Sequence, residues 1–163
     1  MPAKSRSNTD VQSKPLVNPL ADHIGYAIRR AQMTVFQDFC AAMAGVKLRP
    51  AEYSVLAIVN RYPALRQNSL AEMLAIKPAN CTALITKLER RGLLKREKLP
   101  VSGRAIALTL SGRGQALLRQ AERIVNQHRR RIQNKIGAKG VRKLLSLLNN
   151  LYDDGFPSNH SRS

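Results

Sequence analysis

Apolar side chains recur along this chain with two periods, and the change from one to the other divides it into elements. From Pro19 to Gly45, Leu20, Ile24, Ala27, Ala31, Val35 and Phe39 follow at steps of three and four, and Ile28 and Phe36 widen the stripe. That spacing predicts one long amphipathic helix ended by Gly45. Pro50 suits a first helical position before Tyr53, Leu56, Ala57 and Val59, and Pro63 ends that segment. Ser69-Leu70-Ala71-Glu72 has the form of a capping box and opens a short helix through Leu74. After a turn at Ile76-Lys77-Pro78, Cys81, Leu84, Ile85 and Leu88 form one apolar face of a helix from Pro78 to Arg91, closed by Gly92. Its opposite face carries Asn80, Thr82, Ala83, Thr86, Lys87 and Arg90, and is polar without being acidic.

The period then shortens. Ile106, Leu108 and Leu110 alternate with Ala105, Ala107 and Thr109, as in a half-buried strand. The stretch KREKLPVSGR before it reads as a basic loop, with its turn at Pro100, Ser102 and Gly103. Ser111 caps a long helix to about Ile136, on which Leu117, Leu118, Ala121, Ile124, Val125, His128 and Ile132 share a stripe. A last helix runs from Lys139 to Tyr152. The predicted fold is mainly α (α+β): a helix and a basic hairpin have the order of a winged helix-turn-helix, which lays the helix in a DNA groove with the hairpin beside it. Around that module, at residues 47–110, lie helical regions at 18–46 and 111–152. They carry more apolar surface than a monomer of this size covers, so they are expected to form a homodimer. Residues 1–17 read as a mobile basic arm and 153–163 as a polar tail.

Charge sharpens this reading without locating it. Lys and Arg number 28 against 10 acids, a formal net charge of +18. A field of that sign attracts polyanions, double-stranded DNA first among them. The module from 47 to 110 holds twelve basic residues and four acids, yet the rest of the chain is basic too. Hydrophobic residues make up 44% and aromatics 4%, with no Trp, so the core is built of Leu, Ile, Val and Ala. No apolar stretch is long enough to span a bilayer, the first residues lack the apolar core of a secretory signal, and two cysteines make no disulfide framework. A cytoplasmic protein without membrane contact is expected. The three histidines are scattered and no nucleophile elbow, phosphate loop or paired acidic motif is present, so neither an enzyme nor a cofactor or metal is expected.

The run TKLERRGLLKRE, from Thr86 to Glu97, followed by Arg104 and by LTLSGRG from Leu108 to Gly114, resembles the MarR family of bacterial transcriptional regulators. LRPAEYSVLAIV, from Leu48 to Val59, is similar to that family's helix before the turn, and the resemblance extends from Leu20 to Leu151. It implies a homodimeric repressor that binds a palindromic operator and is released by a small molecule. Two positions depart from the family pattern: Ser102 stands where an Asp usually braces the wing arginine, and Arg49 stands where a Thr usually caps the helix.

On this reading Asn80 and Thr82 meet base edges, Pro78 and Ala79 pack on thymine methyls, and Lys87 reaches a base or phosphate. Ser69 and Lys77 contact phosphates. Arg104 enters the minor groove, with Arg96 and Lys98 on flanking phosphates. Plainer readings stand beside these: helix initiation alone for Pro78, and a solvated or phosphate-facing pair for Arg90 and Arg91. For the effector, His23, Tyr26, Arg30 and Met33 share the first helix, and Tyr53, Asn60 and His128 are candidates for the same cleft. Such residues hold a phenol or a carboxylate, or they pack a dimer interface. HIGYAIRRAQMTVFQDF, from His23 to Phe39, resembles the branch that senses aromatic acids or CoA thioesters such as hydroxycinnamoyl-CoA, whose phosphates the extra basic residues would meet. The alternatives are a non-specific architectural DNA-binding protein and a thiol-based redox-sensing regulator using Cys40 or Cys81, although a buried cysteine is ordinarily a small hydrophobe.

Overall fold

The computed structural model describes residues 18–98 and 106–153. In chain order it contains α1 (Ile24–Met43), a 3-10 turn (Ala44–Val46), α2 (Pro50–Arg61), α3 (Gln67–Met73), α4 (Pro78–Arg90), β1 (Leu94–Lys98), β2 (Ile106–Leu110) and α5 (Gly112–Asp153). Two compact units divide at Val35 and Phe36, and α1 passes from the first into the second.

In the first unit α1 begins later than its apolar spacing predicts. Residues before Ile24 form turns instead, because the Asn18 carboxamide oxygen accepts the Leu20 N–H at 3.0 Å and so competes with helix formation. The apolar stripe of this unit is open to solvent in the single chain, with Ile24 75% exposed.

The second unit holds the core, in which Leu56, Leu70, Ile85, Leu88, Leu108 and Leu118 are almost fully buried. The end of α1 is not made by Gly45, which lies within the 3-10 turn; Lys47 takes the left-handed conformation at φ 51. The Lys47 carbonyl accepts a hydrogen bond from the Arg91 guanidinium at 2.8 Å, which helps to hold that backbone. At the start of α2, Arg49 supplies no side-chain cap, but the Glu52 carboxylate accepts the Arg49 N–H at 2.9 Å, one half of a capping box.

The capping box expected at Ser69 is absent. Helix α3 starts at Gln67, and Ser69 lies inside its first turn. The cause is tertiary: Leu65 accepts the Leu108 N–H at 3.0 Å and forms a one-residue bridge to β2, so the chain turns at Arg66. Helix α4 has Pro78 at its first turn and buries Cys81, Ile85 and Leu88. Gly92, at φ 68, ends it, and the Leu93 N–H returns to the Leu88 carbonyl at 2.9 Å.

Part of the expected basic loop is a strand. β1 pairs antiparallel with β2 from Leu94 opposite Leu110 to Lys98 opposite Ile106. Ala107 and Leu108 are both buried, so β2 is covered on both faces where alternation predicts one. Ser111 caps α5 as expected, accepting the Gly114 N–H at 2.9 Å, and it donates to the Gly92 carbonyl at 2.6 Å. One hydroxyl therefore joins the end of α4 to the start of α5. The predicted gap between the last two helices appears as a break inside α5, where Gly137 adopts φ 73 and ψ 159, a conformation open essentially to glycine alone.

The least expected interaction lies between α2 and α4. Glu52 is 1% exposed, yet its carboxylate takes Lys87 Nζ at 2.7 Å and the Arg91 guanidinium at 2.9 Å, besides the Arg49 amide. Burial pushes this carboxyl up, but the Arg49 amide and the two cations outweigh it and hold the group below the usual glutamate range.

Two predictions follow from this packing. A Cβ at Gly114 would lie 2.1 Å from the Leu93 carbonyl oxygen, whereas one at Gly112 meets nothing within 4 Å. Gly114→Ala is therefore expected to lose about 2 kcal/mol or more in urea unfolding, with Gly112→Ala as a control of unchanged or slightly raised stability. For Glu52→Gln the expected loss at neutral pH is about 1–3 kcal/mol, because Lys87 and Arg91 lose their counter-charge but remain partly hydrated. The folded carboxyl titrates below its unfolded value, so this stabilisation is complete above about pH 4.3 and is lost as pH falls through the folded value. Unfolding midpoints of wild type and Glu52→Gln should converge in acid; a constant gap across the range would show that Glu52 charge does not contribute.

Candidate nucleic-acid interface and effector residues

Helix α4 presents the surface expected of a groove-reading helix. Its buried face is apolar, while Pro78, Ala79, Asn80 and Thr82 are exposed together along its first turns, with Lys77 exposed at the N-cap. Ser69, on α3, is half-buried. The Thr82 hydroxyl is already engaged: it donates to the Pro78 carbonyl at 2.9 Å and accepts from Gln67 Nε2 at 2.7 Å. Gln67 escaped the sequence reading because its contact depends on how α3 and α4 cross.

Two of the expected DNA-facing cations are committed within the fold. Lys87 pairs with Glu52 and is half-exposed. Arg96 places Nε 2.9 Å and 3.1 Å from the two Glu89 oxygens, tying β1 to α4. Arg91 is not a solvated partner of exposed Arg90, since it holds both Glu52 and the Lys47 carbonyl. Lys98 is the last residue of β1, while Ser102 and Arg104 lie outside the described residues. Glu52 has a sequence signal that could have found it: an acid at the third position of a helix opened by Pro. Glu89 and Arg96 lie on different elements and carry no such signal.

The effector candidates fall into separate groups. In the first unit, Asn18 Nδ2 donates to the Tyr26 hydroxyl at 2.9 Å, and the Arg30 guanidinium stands 5.9 Å from the Tyr26 ring centroid. His23 and Met33 are exposed on the same segment. In the second unit, Phe39 brings Tyr53 and His128 together, with ring centroids at 5.9 Å and 5.3 Å, the latter edge to face. Asn60, exposed near the end of α2, does not share that cluster. Buried His128 directs Nδ1 to the Asp38 carboxylate at 2.5 Å, and Arg131 reaches the same oxygen at 2.9 Å. Hydrogen bonds from Arg131 and then His128 hold Asp38 below the usual carboxylate range. Burial, followed by the Glu122 charge, pushes the Tyr53 phenol up, so it stays a neutral donor. Burial also pushes the Cys81 thiol up, and its Sγ lies 3.7 Å from the Gln67 carbonyl, an environment that opposes thiolate chemistry. Cys40 is half-buried. Among the described residues no three His, Cys, Asp or Glu side chains stand together as metal ligands, and no helix is long and apolar enough to cross a membrane.

Known proteins share this fold. The family model described as the MarR family matches residues 48–106, from the residue before Arg49 through β2's first position. A structure of the transcriptional repressor CouR bound to a 23-mer DNA duplex is 35% identical, covering 86% of this chain and 99% of that one, with a TM-score of 0.80. CouR bound to p-coumaroyl-CoA is 34% identical over 85% of this chain and 98% of that one, with a TM-score of 0.76. A helix-turn-helix-type transcriptional repressor of Mycobacterium tuberculosis is 28% identical over 80% of this chain and 94% of its own length. With a shared fold and 35% identity over nearly the whole length of a CouR chain, this protein belongs to the MarR family.

Proposed function

We propose that this chain is a ligand-responsive transcriptional repressor, acting as a homodimer on a palindromic operator and released by an aromatic acid or its CoA thioester. The observation that carries the reading is its 35% identity, across almost the entire length, to a repressor described on a DNA duplex. Exposed α4 residues next to a basic hairpin support it. In this reading residues 47–110 form the DNA-binding lobe, and 18–46 with 111–152 supply the dimer contacts. Leu144, Leu145 and Leu147, exposed in the single chain, are then covered by the partner. Contact with chromosomal DNA places the protein in the cytoplasm.

Within that scheme Asn80 and Thr82 read base edges, Pro78 and Ala79 meet thymine methyls, and Ser69 and Lys77 hold phosphates. Arg104 reads the minor groove, with Lys98 beside it. Lys87 and Arg96 reach DNA only by sharing or leaving Glu52 and Glu89. The effector is assigned to the hydroxycinnamoyl-CoA class because CouR is described with p-coumaroyl-CoA bound. Tyr53 and His128, gathered on Phe39, offer an aromatic wall and polar atoms for a phenol; Tyr26, Arg30, His23, Met33 and Asn60 are the further candidates.

Fluorescence anisotropy on the DNA upstream of the protein's own coding sequence, against scrambled DNA, tests this. Sequence-selective binding relieved by p-coumaroyl-CoA, and less by the free acid, is expected. Equal affinity for both duplexes with a steep salt dependence would instead indicate non-specific coating. Arg104→Ala is expected to weaken operator binding about tenfold or more at moderate salt. Unchanged affinity would remove Arg104 from the interface.

A further inference from the structure

The structure assigns Gln67 a positioning role: it locks the Thr82 hydroxyl so that Thr82 accepts but cannot donate, which turns that position against guanine. The inference rests on the reading in which α4 faces base edges. A threonine hydroxyl has one proton and two acceptor lone pairs. Here the proton is given to the Pro78 carbonyl at 2.9 Å, one turn back along α4. One acceptor site is filled by Gln67 Nε2 at 2.7 Å. What remains for a ligand in front of α4 is one lone pair and the Cγ2 methyl.

Gln67 can enforce this because its own backbone is fixed. It is the first residue of α3, and the thiol of fully buried Cys81 on α4 lies 3.7 Å from its carbonyl. The two helices are therefore joined at the same point twice, once through the core thiol and once through the exposed carboxamide. The Gln67 bond fixes Oγ1 itself, and so holds Thr82 in the side-chain rotamer whose proton lies on the Pro78 carbonyl. Without Gln67 the side chain is free to leave that rotamer, and its proton then becomes available to the groove.

Base edges respond differently to an acceptor-only threonine. In the major groove adenine and cytosine offer an amino donor and thymine offers a methyl, whereas guanine offers only the acceptors N7 and O6. The locked Thr82 suits the first three and opposes two acceptors with a third in the case of guanine. The selectivity arises from a repulsive element held in place by a side chain that need not touch DNA itself.

The test begins with duplexes selected by the full-length protein from a library with a randomised central segment, and measures affinity for every single-base-pair variant of the selected site. Wild type is expected to disfavour guanine at one position by about tenfold, the scale of one mismatched base pair. Gln67→Leu should reduce that discrimination to about twofold at the same position, leaving preferences elsewhere unchanged. Thr82→Val, which keeps the shape and removes the hydroxyl, should alter the same position, and the double variant should behave as Thr82→Val alone. If Thr82→Val shifts the preference but Gln67→Leu does nothing, or weakens all duplexes equally, the positioning role is overturned while the assignment of α4 stands. If Thr82→Val leaves every preference intact, Thr82 does not face a base and the positioning role of Gln67 falls with it, whereas α4 loses its assignment only if no selective site is recovered at all.

Discussion

A carboxylate removed from water stays ionised only where cations and amide protons replace its hydration, and Glu52 is held in this way at the junction of α2 and α4. Its partners come from separate parts of the chain: the Arg49 amide before α2, Lys87 on α4, and Arg91 just after it. Arg91 also bonds the Lys47 carbonyl, so the turn between α1 and α2 is drawn to the same point. The separation of α2 and α4 is thereby set by hydrogen-bond geometry as well as by the packing of Leu56, Ile85 and Leu88. An apolar interface alone tolerates sliding, while directed bonds to one carboxylate favour a single register.

Two further joints complete the platform on which α4 rests. Ser111 bonds the carbonyl of Gly92 and the amide of Gly114, so the exit from α4 and the entry to α5 are one structural point. Leu65 bridges to Leu108, binding the segment before α3 to the hairpin. The first acts through a side-chain hydroxyl at the end of α4, the second from backbone to backbone just before α3. The proposed action of Gln67 on Thr82 depends on such joints, since a hydroxyl aimed from a moving helix would select nothing.

The distribution of charge is less simple than a total of +18 implies. Around α4, Lys87, Arg91 and Arg96 all face acids, so their attraction for phosphate is partly offset inside the fold. The polar residues at the N-terminal end of α4 carry no such commitment to an acid. In the proposed reading, long-range attraction comes from the whole chain, and major-groove discrimination from the uncharged side chains of α4, which is how positioning and base reading divide in protein–DNA interfaces.

The helices α2 and α4, the glycine that ends α4 and the serine that caps α5 are all legible in the sequence, because each rests on local chemistry: proline at a first turn, apolar steps of three and four, a left-handed residue, a hydroxyl beside free amides. The exposure of Asn80 and Thr82 opposite buried Cys81 and Ile85 follows from the same periodicity. The start of α3 is not legible, because Ser69 and Glu72 satisfy a local rule that the Leu65–Leu108 bridge overrides. β1 carries no strand signal of its own, because Lys95, Arg96 and Glu97 give no alternation; β2 supplies its order through backbone bonds that side-chain pattern does not encode. Glu52 with Arg91, Arg96 with Glu89, Asp38 with His128 and Gln67 with Thr82 belong to the tertiary structure alone. Each joins residues on different elements, and which charges or hydroxyls meet depends on crossing angles and register that only the packed core determines.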